Sequence, residues 1–292
     1  MPNHVTNILI ISGDDELVKR IREGIRGDDE DDVRLIDFNR IIPCPESLNI
    51  TSGSLVDNGL AVLQHLEGNS KEINKMLSWV WVREKGIDNA EDLVKYMLEN
   101  KTADIESAKI ALENIENYGH KDWYSWAIDK WGTKWNAYTQ KMNDDGSITF
   151  QTAWSNPYPV IQALSEKYPD ARFHLKFADE DLGHNVGEYT MVDGLIIDEY
   201  IPDEGSEEAL LMAIEICEYD DYISDRCFEI DPDYSVDDLE EYDMKWLNIA
   251  YNKGILDSYP KCALDYLLKL SIDDENYEFA QKIKETTSWN EV

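Results

Sequence analysis

The alternation of apolar and polar positions in the first forty-five residues predicts a β-α-β unit. Residues 4–11 are rich in β-branched side chains, which is typical of a buried strand. Leu17, Ile21 and Ile25 follow at four-residue intervals and mark the buried face of a helix. Residues 33–38 predict a second strand, which two prolines shortly afterwards would end.

A similar order recurs between residues 147 and 201. Residues 147–154 and 172–177 have strand-like patterns, and residues 160–164 between them have an apolar helical face. Residues 187–201 predict a hairpin that turns at Asp193-Gly194, a dipeptide favoured in tight type I′ turns. Two β-α-β units of this kind predict an α+β fold with a ferredoxin-like antiparallel sheet and helices on one face.

Two further stretches are helical in pattern and set the expected domains. Ile105, Ala108 and Leu112 have helical spacing within residues 46–120, which we interpret as a helical insertion into an α+β domain spanning residues 1–204. From residue 205 to residue 292 the pattern is helical again and the composition is strongly acidic. We therefore expect an acidic helical domain at the C-terminal end.

Charge changes this picture more than composition does. The 292 residues carry a formal net charge of −34, and the last part, residues 205–292, has 23 acids against 7 bases, or −16. Such a surface repels nucleic acid and anionic lipid and attracts basic protein surfaces. The sequence contains no apolar run long enough to span a membrane and begins without a signal-peptide pattern, so we expect a cytoplasmic protein.

The densest acidic stretch lies between Glu207 and Asp243, with fifteen acids and one base, Arg226. Drawn as one helix it would be about 55 Å long, with a net charge about every 4 Å, close to the spacing of about 3.4 Å on one DNA strand. The similar spacings make DNA mimicry a reasonable interpretation, beside a merely solvated face and a halophilic adaptation. The interleaved Tyr219, Tyr222, Tyr234 and Tyr242 favour a binding surface, because tyrosine supplies contact area. The predicted partner-binding residues are Glu215, Glu218, Asp220, Asp221, Asp225, Asp237, Asp238, Glu240 and Glu241.

A block dense in tryptophan offers a second candidate site. In Trp131-Gly132-Thr133-Lys134-Trp135 a lysine stands beside two rings and a glycine allows a turn. Trp131, Lys134 and Trp135 therefore form a candidate aromatic site, with a structural junction as the competing interpretation.

Motifs for catalysis are not found, and no cofactor or metal site is predicted. The sequence lacks GxGxxG, GxxxxGK[ST], GxSxG and HExxH. The four cysteines form no CxxC pair and are expected to be reduced thiols, Cys44 among them. A His174–His184 metal pair is disfavoured, and the acidic runs 28–32 and 231–238 lack the glycine and glutamate of an EF-hand loop.

Four blocks together resemble a known family. They are residues 1–7 (MPNHVTN), 38–46 (FNRIIPCPE), 131–137 (WGTKWNA) and 152–160 (TAWSNPYPV). In this order they resemble the Api92-like proteins of phages, plasmids and bacterial genomes, over about the first 200 residues. The resemblance implies a mobile-element origin, a bacterial host cell and a ferredoxin-like core, and it implies no catalytic residues.

Three functions remain open at this point. The first is a non-enzymatic acidic protein that inhibits a host nucleic-acid-binding or defence protein. The second is an enzyme with a pocket between the sheet and the helical insertion. The third is a structural protein that self-associates, for which the edge strands of the sheet would be the natural pairing site.

Overall fold

The computed structural model describes residues 2–27, 34–219, 221–255 and 259–288. Within them, two compact units are formed, one by the residues up to Leu175 with Tyr189–Asp198, the other by Lys176–Glu188 with the residues from Glu199 onward. Six strands belong to one sheet: β1 His4–Ser12, β2 Tyr138–Met142, β3 Ile148–Ala153, β4 Arg172–Asp179, β5 Gly187–Val192 and β6 Leu195–Tyr200.

The sheet has the order β2-β3-β1-β4-β5-β6. β1 pairs antiparallel with β3, Val5 opposite Thr152, and β2 pairs antiparallel with β3. Helix α1 (Asp15–Ile25) follows β1, and helix α8 (Tyr158–Lys167) joins β3 to β4. The first four strands therefore have the connectivity of a ferredoxin-like sheet, and β5 and β6 extend it. The predicted fold class is confirmed.

The predicted second strand at residues 33–38 is wrong for the residues described there. Residues 34–37 are irregular and lead into a 3₁₀ turn, Phe38–Arg40. The side chain of Gln140 bonds the N–H and C=O of Ile36 at 2.9 Å each, and Asn136 accepts the N–H of Phe38 at 2.9 Å. Side chains thus satisfy the polar backbone that a neighbouring strand would otherwise satisfy. The strand that completes the first β-α-β unit is β2.

Six helices lie in the described chain between residues 54 and 130. They are α2 Ser54–Leu66, α3 Lys71–Met76, α4 Val80–Glu84, α5 Ala90–Glu99, α6 Ile105–Tyr118 and α7 Trp123–Lys130. One apolar cluster includes Ile73, Leu93 and Met97, and a second lies between α2 and α6. The inserted helices therefore have buried cores of their own.

The predicted hairpin at residues 187–201 is confirmed. Asp193 and Gly194 have φ of 50° and 74°, which a type I′ turn requires, and they join β5 to β6. β6 lies at the end of the sheet, and all six of its residues are exposed.

The last unit is ordered by an apolar core that includes Leu247, Ala263 and Leu267. Its helices are α9 Glu207–Cys217, α10 Tyr222–Phe228, α11 Glu241–Lys253, α12 Lys261–Asp273 and α13 Tyr277–Ser288. The described residues contain no helix both long and apolar enough to cross a bilayer.

Candidate functional site

The acidic segment, residues 207–243, does not form the single rod assumed above. Helix α9 ends at Cys217. The next residue, Glu218, has a left-handed φ of 56°, and α10 begins only at Tyr222. A 3₁₀ turn, Val236–Asp238, precedes α11. The estimate of charge spacing along one helix is therefore wrong, because turns separate the helices that carry the acids.

The described acids of the predicted set are nevertheless on the surface. Exposed side chains are found at Glu215, Glu218, Asp221, Asp225, Asp237, Asp238 and Glu240. Asp220 and the side chain of Glu241 lie outside the described part of the chain. Asp238 has a structural role, since it accepts the Ser235 N–H at 2.8 Å and the Ser235 hydroxyl at 2.6 Å. These hydrogen bonds lower the pKa of Asp238.

Positive charge in the acidic segment is already engaged. Arg226, its only base, bonds the Glu229 carboxylate at 2.8 and 3.1 Å and lies 5.1 Å from the centre of the Tyr222 ring. Lys176 reaches Glu215 at 3.3 Å, an exposed pair of small energy. Asp221, Asp225 and Asp237 make no ion pair with any described residue. Their charge is therefore uncompensated locally.

Aromatic side chains are exposed among these acids. Tyr219, Tyr234 and Tyr242 are exposed by 42%, 38% and 55%, and Phe228 by 44%. Tyrosine provides contact area at protein interfaces, with a ring for packing and a hydroxyl for hydrogen bonding. The acidic segment thus combines exposed carboxylates with surface suited to contact.

A second candidate site surrounds Lys134. Its ammonium lies 4.6 Å from the ring centre of Trp135, 5.0 Å from that of Trp154 and 5.7 Å from that of Tyr124. We call these four residues the lysine–aromatic site. Cation–π contacts of this kind contribute about 0.5–1 kcal/mol each when exposed. Lys134 makes no ion pair with a carboxylate among the described residues.

The turn before Lys134 is held by close backbone contacts. Gly132 has φ of 75°, and a Cβ there would lie 2.6 Å from Cδ of Pro159. The buried Thr133 hydroxyl donates to the Ala153 carbonyl at 2.8 Å and accepts the Ala153 N–H at 3.0 Å. These bonds join the turn to the end of β3, which brings Trp154 beside Lys134.

Trp154 has an unusual backbone conformation. Its φ is 75°, a region that large side chains rarely occupy, and its N–H donates to the Asn3 carbonyl at 3.0 Å. Positive φ at such a residue costs about 1–3 kcal/mol. The residue is nonetheless 42% exposed, so this backbone conformation leaves a large aromatic ring partly at the surface.

Trp131 belongs to the core and not to the exposed site. It is 7% exposed, its indole N–H donates to the Ile42 carbonyl at 2.9 Å, and its ring meets Phe38 edge-on at 5.8 Å. Of the three predicted residues, the structure therefore brings only Lys134 and Trp135 together, and adds Tyr124 and Trp154. Trp154 was visible in the sequence block TAWSNPYPV, but its position there predicts only the last residue of a strand and not a member of a site.

The four sequence blocks quoted above converge here. The first contributes Asn3, which bonds Trp154, and the second contributes Ile42, which bonds Trp131. The third and fourth meet where the Ser155 hydroxyl donates to the Gly132 carbonyl. The blocks are thus distant in sequence and adjacent in the fold.

An open cleft of about 400 Å³ adjoins Lys134. The described residues that line it are Ser52, Trp123, Tyr124, Lys134 and Trp135. Ser52 precedes helix α2, and Trp123 and Tyr124 begin α7, so the cleft lies beside the helical insertion. Its lining is a set of rings with one ammonium and the hydroxyls of Ser52 and Tyr124, which suits binding of a ligand.

The other candidate groups have structural surroundings. Burial raises the pKa of the Cys44 thiol, which disfavours the nucleophilic thiolate. His174 meets the Thr190 hydroxyl at 3.0 Å, and His184 meets Glu204 at 2.7 Å. The part of the chain that is described holds no group of three or more His, Cys, Asp or Glu able to bind a metal ion; the acidic run 28–32 lies outside it.

The sheet order and connectivity define an α+β protein with a ferredoxin-like sheet. Residues 131–220 match the family model described as "Ferredoxin-like domain in Api92-like protein". The resemblance to Api92-like proteins is therefore confirmed, and the matching part contains Lys134, Trp135 and Trp154. The crystal structure of protein api92 from Yersinia pseudotuberculosis is similar with a TM-score of 0.36 at 10% identity, covering 70% of this chain and 100% of that one. No curated protein matches the chain.

Proposed function

We propose that this chain is a non-enzymatic binding protein of a mobile element. Its acidic segment would occupy the nucleic-acid groove of a basic bacterial protein, such as a defence nuclease, by DNA mimicry. The observation that carries this proposal is the exposure of Asp221, Asp225 and Asp237 without a cationic partner in the part of the chain described. Uncompensated surface charge speeds and orients association with a surface of opposite charge.

The folded arrangement of the acidic segment is compatible with this proposal. DNA presents phosphates on a curved surface, and helices separated by turns can also distribute charges over a surface. The exposed rings of Tyr219 and Tyr242 would add contact area that phosphates alone do not have. Binding should therefore weaken with added salt less steeply than it does for DNA itself.

The test is capture of proteins from a bacterial lysate on the immobilised full chain, followed by elution with duplex DNA. The proposal expects captured proteins that duplex DNA displaces and that high salt releases. Asp221→Asn/Asp225→Asn/Asp237→Asn should reduce this capture by about tenfold or more. Asp238 and Glu240 are left unchanged, because both belong to capping boxes and their loss would disturb folding.

A matched control removes the same number of charges elsewhere. Glu84, Glu113 and Glu116 are exposed residues of the helical insertion, so Glu84→Gln/Glu113→Gln/Glu116→Gln changes the net charge equally. Capture by this control should equal that of the parent chain. If both triple variants lose capture equally, net charge alone explains the effect. If duplex DNA fails to displace the captured proteins, DNA mimicry is contradicted.

Self-association is a second candidate, favoured by β6. Leu195, Ile197 and Ile201, in and just after this end strand, are exposed by 68%, 51% and 53%. An apolar edge strand can pair with a second copy. Because like charge opposes such pairing, self-association should strengthen with salt, opposite to binding of a basic partner. Light scattering at low and high salt distinguishes self-association from binding of a basic partner, and Ile197→Lys should weaken self-association. A protein that is monomeric at both salt concentrations would exclude self-association.

The enzymatic alternative has a cleft but little chemistry. The described residues lining the cleft beside Lys134 include no carboxylate, histidine or cysteine to act with the lysine as an acid–base pair. We therefore do not propose a reaction there.

A further inference from the structure

We infer that the lysine–aromatic site binds a single nucleotide, by stacking of its base on Trp154 or Trp135 and by contact of its phosphate with Lys134. This inference is independent of the acidic segment, which contains none of these residues. It follows from four features of the site: its exposed rings, its cation, its cleft and the strain at Trp154.

The exposed rings provide the stacking surface. Trp135 and Trp154 are exposed by 37% and 42%, although both could bury a large apolar area in the core. Tyr124 meets Trp154 edge-on, with ring centres 6.2 Å apart at 82°, which holds the Trp154 ring in position. Every nucleobase has a π-face, so a fixed aromatic ring at a surface is a platform for any of them.

Lys134 provides the charge for the phosphate. Its ammonium has three donors, and the rings around it take none of them as a carboxylate would. It makes no ion pair with a described carboxylate, although the protein as a whole is strongly acidic. A lysine ammonium without an ion pair among the described residues, beside stacking surfaces, suits a planar ligand with an anionic group.

The cleft beside Lys134 has room for a small ligand. Its volume of about 400 Å³ lies at the small end of the range for small-molecule pockets, about 300–1,000 Å³. Ser52, at one side, adds a hydroxyl that can bond a ribose or phosphate oxygen. A long nucleic-acid strand would meet the net charge of −34, whereas one nucleotide carries at most two negative charges to the site.

The backbone strain at Trp154 supports a role in binding. Left-handed φ at this residue is held between one backbone hydrogen bond to Asn3 and the Thr133–Ala153 hydrogen bonds at the preceding residue. Strain of this kind persists where the surroundings fix it, and it is concentrated at functional sites. Here its effect is to hold the ring at the surface beside Lys134.

The experiment is calorimetric titration of the full chain with AMP, GMP, CMP and UMP, and with the four matching nucleosides. At least one monophosphate is expected to bind saturably, with a dissociation constant below about 1 mM. The matching nucleoside should bind about tenfold more weakly, because it lacks the phosphate that Lys134 contacts. Lys134→Gln should remove that tenfold difference and leave nucleoside binding unchanged. Trp154→Gly should weaken both ligands by about fivefold or more; glycine suits the left-handed backbone, so this variant is expected to fold.

Matched controls exist in the helical insertion. Lys85 lies 5.1 Å over the Tyr96 ring, so Lys85→Gln removes a similar cation–π contact elsewhere. Trp79 is 40% exposed, so Trp79→Ala removes a comparable ring. Both controls should bind the monophosphates as the parent does.

Three results would overturn the inference. The first is the absence of saturable binding for all eight compounds in a folded parent chain. The second is equal binding of nucleosides and monophosphates, which would leave Lys134 without a role. The third is much tighter binding of a single-stranded oligonucleotide than of any mononucleotide, which would replace one nucleotide with a strand as the ligand.

Discussion

At the residue scale, single positions around Lys134 determine whether the lysine–aromatic site can form. Gly132 is the clearest case, because its left-handed backbone and its contact with Pro159 each exclude a Cβ. Thr133 and Ser155 then fix the turn through side-chain hydrogen bonds to backbone groups. The site thus depends on small residues that are not among its four members.

Gly132→Ala should lower the free energy of unfolding by about 2–4 kcal/mol, from the strain of positive φ and the clash with Pro159. Gly119→Ala is the control, since Gly119 has φ of 77° but open space where its Cβ would lie. Its cost should be only the strain, about 1–2 kcal/mol. Urea denaturation measures the free energy of unfolding of both variants. If the two lose the same amount, the clash with Pro159 relaxes without an energetic cost.

Cys227 is expected to be unreactive while the chain is folded. Burial raises the pKa of its thiol to about 12, so almost none of it is thiolate at neutral pH. Cys262 is buried as well, whereas Cys44 and Cys217 are partly exposed. Iodoacetamide followed by peptide mass mapping should modify the latter two first and Cys227 only in denaturant. Rapid labelling of Cys227 in the native protein would contradict the packing of this core.

At the element scale, helices α2 and α6 approach each other closely at one glycine. Gly59 in α2 faces α6, and a Cβ there would lie 2.3 Å from the Asp104 carbonyl oxygen and 2.7 Å from Cβ of Ala108. Alanine normally stabilises a helix relative to glycine by about 1 kcal/mol. At this position steric overlap reverses the sign of the effect.

Gly59→Ala should therefore lower the free energy of unfolding by about 1–3 kcal/mol, measured by urea denaturation with circular dichroism. Gly24→Ala in α1 provides the comparison, because its nearest neighbour is the Tyr168 hydroxyl at 3.0 Å, the end of a side chain that can move. That variant should be neutral within about 0.5 kcal/mol or stabilising. A stabilised Gly59→Ala protein would show that α2 and α6 can separate.

Sequence patterns predicted the elements better than their partners. β1, α1 and the β5–β6 hairpin follow from apolar spacing and from Asp193-Gly194, and two β-α-β units gave the right fold class. Residues 33–38 looked like a strand because Ile36 and Phe38 are buried. The spacing of apolar residues indicates which side chains are buried. It does not indicate whether the backbone N–H and C=O groups bond to a neighbouring strand or to side chains such as Gln140 and Asn136. β2 was missed because its YTQKM sequence is mostly polar and partly exposed.

The candidate sites were predicted in the same uneven way. Lys134 and Trp135 are adjacent in sequence, so their proximity needed no fold. Tyr124 and Trp154 reach Lys134 only through α7 and the end of β3, which no local pattern shows. In the acidic segment composition predicted exposure correctly, but the turn at Glu218 was not expected from the charge pattern.

At the scale of the whole molecule, repulsion among carboxylates should make stability depend on salt. A net charge of −34 favours expansion of the chain, because the carboxylates repel one another. Salt screens this repulsion and limits its range to about 10 Å at 0.1 M. The midpoint of thermal unfolding should rise between low salt and about 0.15 M sodium chloride. Asp221→Asn/Asp225→Asn/Asp237→Asn should show a smaller rise than the parent chain. A midpoint that falls with salt would indicate that attractive ion pairs dominate.

The antiparallel pairing of β1 with β3 has a consequence for biosynthesis. About 135 residues separate the two strands, so at about 5–20 residues per second a ribosome needs about 7–27 seconds to supply the partner of β1. The inserted helices, with apolar clusters of their own, can condense during this interval. The nascent chain meanwhile keeps Val5, Leu9 and Ile11 unpaired, and this exposed strand is where a chaperone would be needed before translation has passed residue 153.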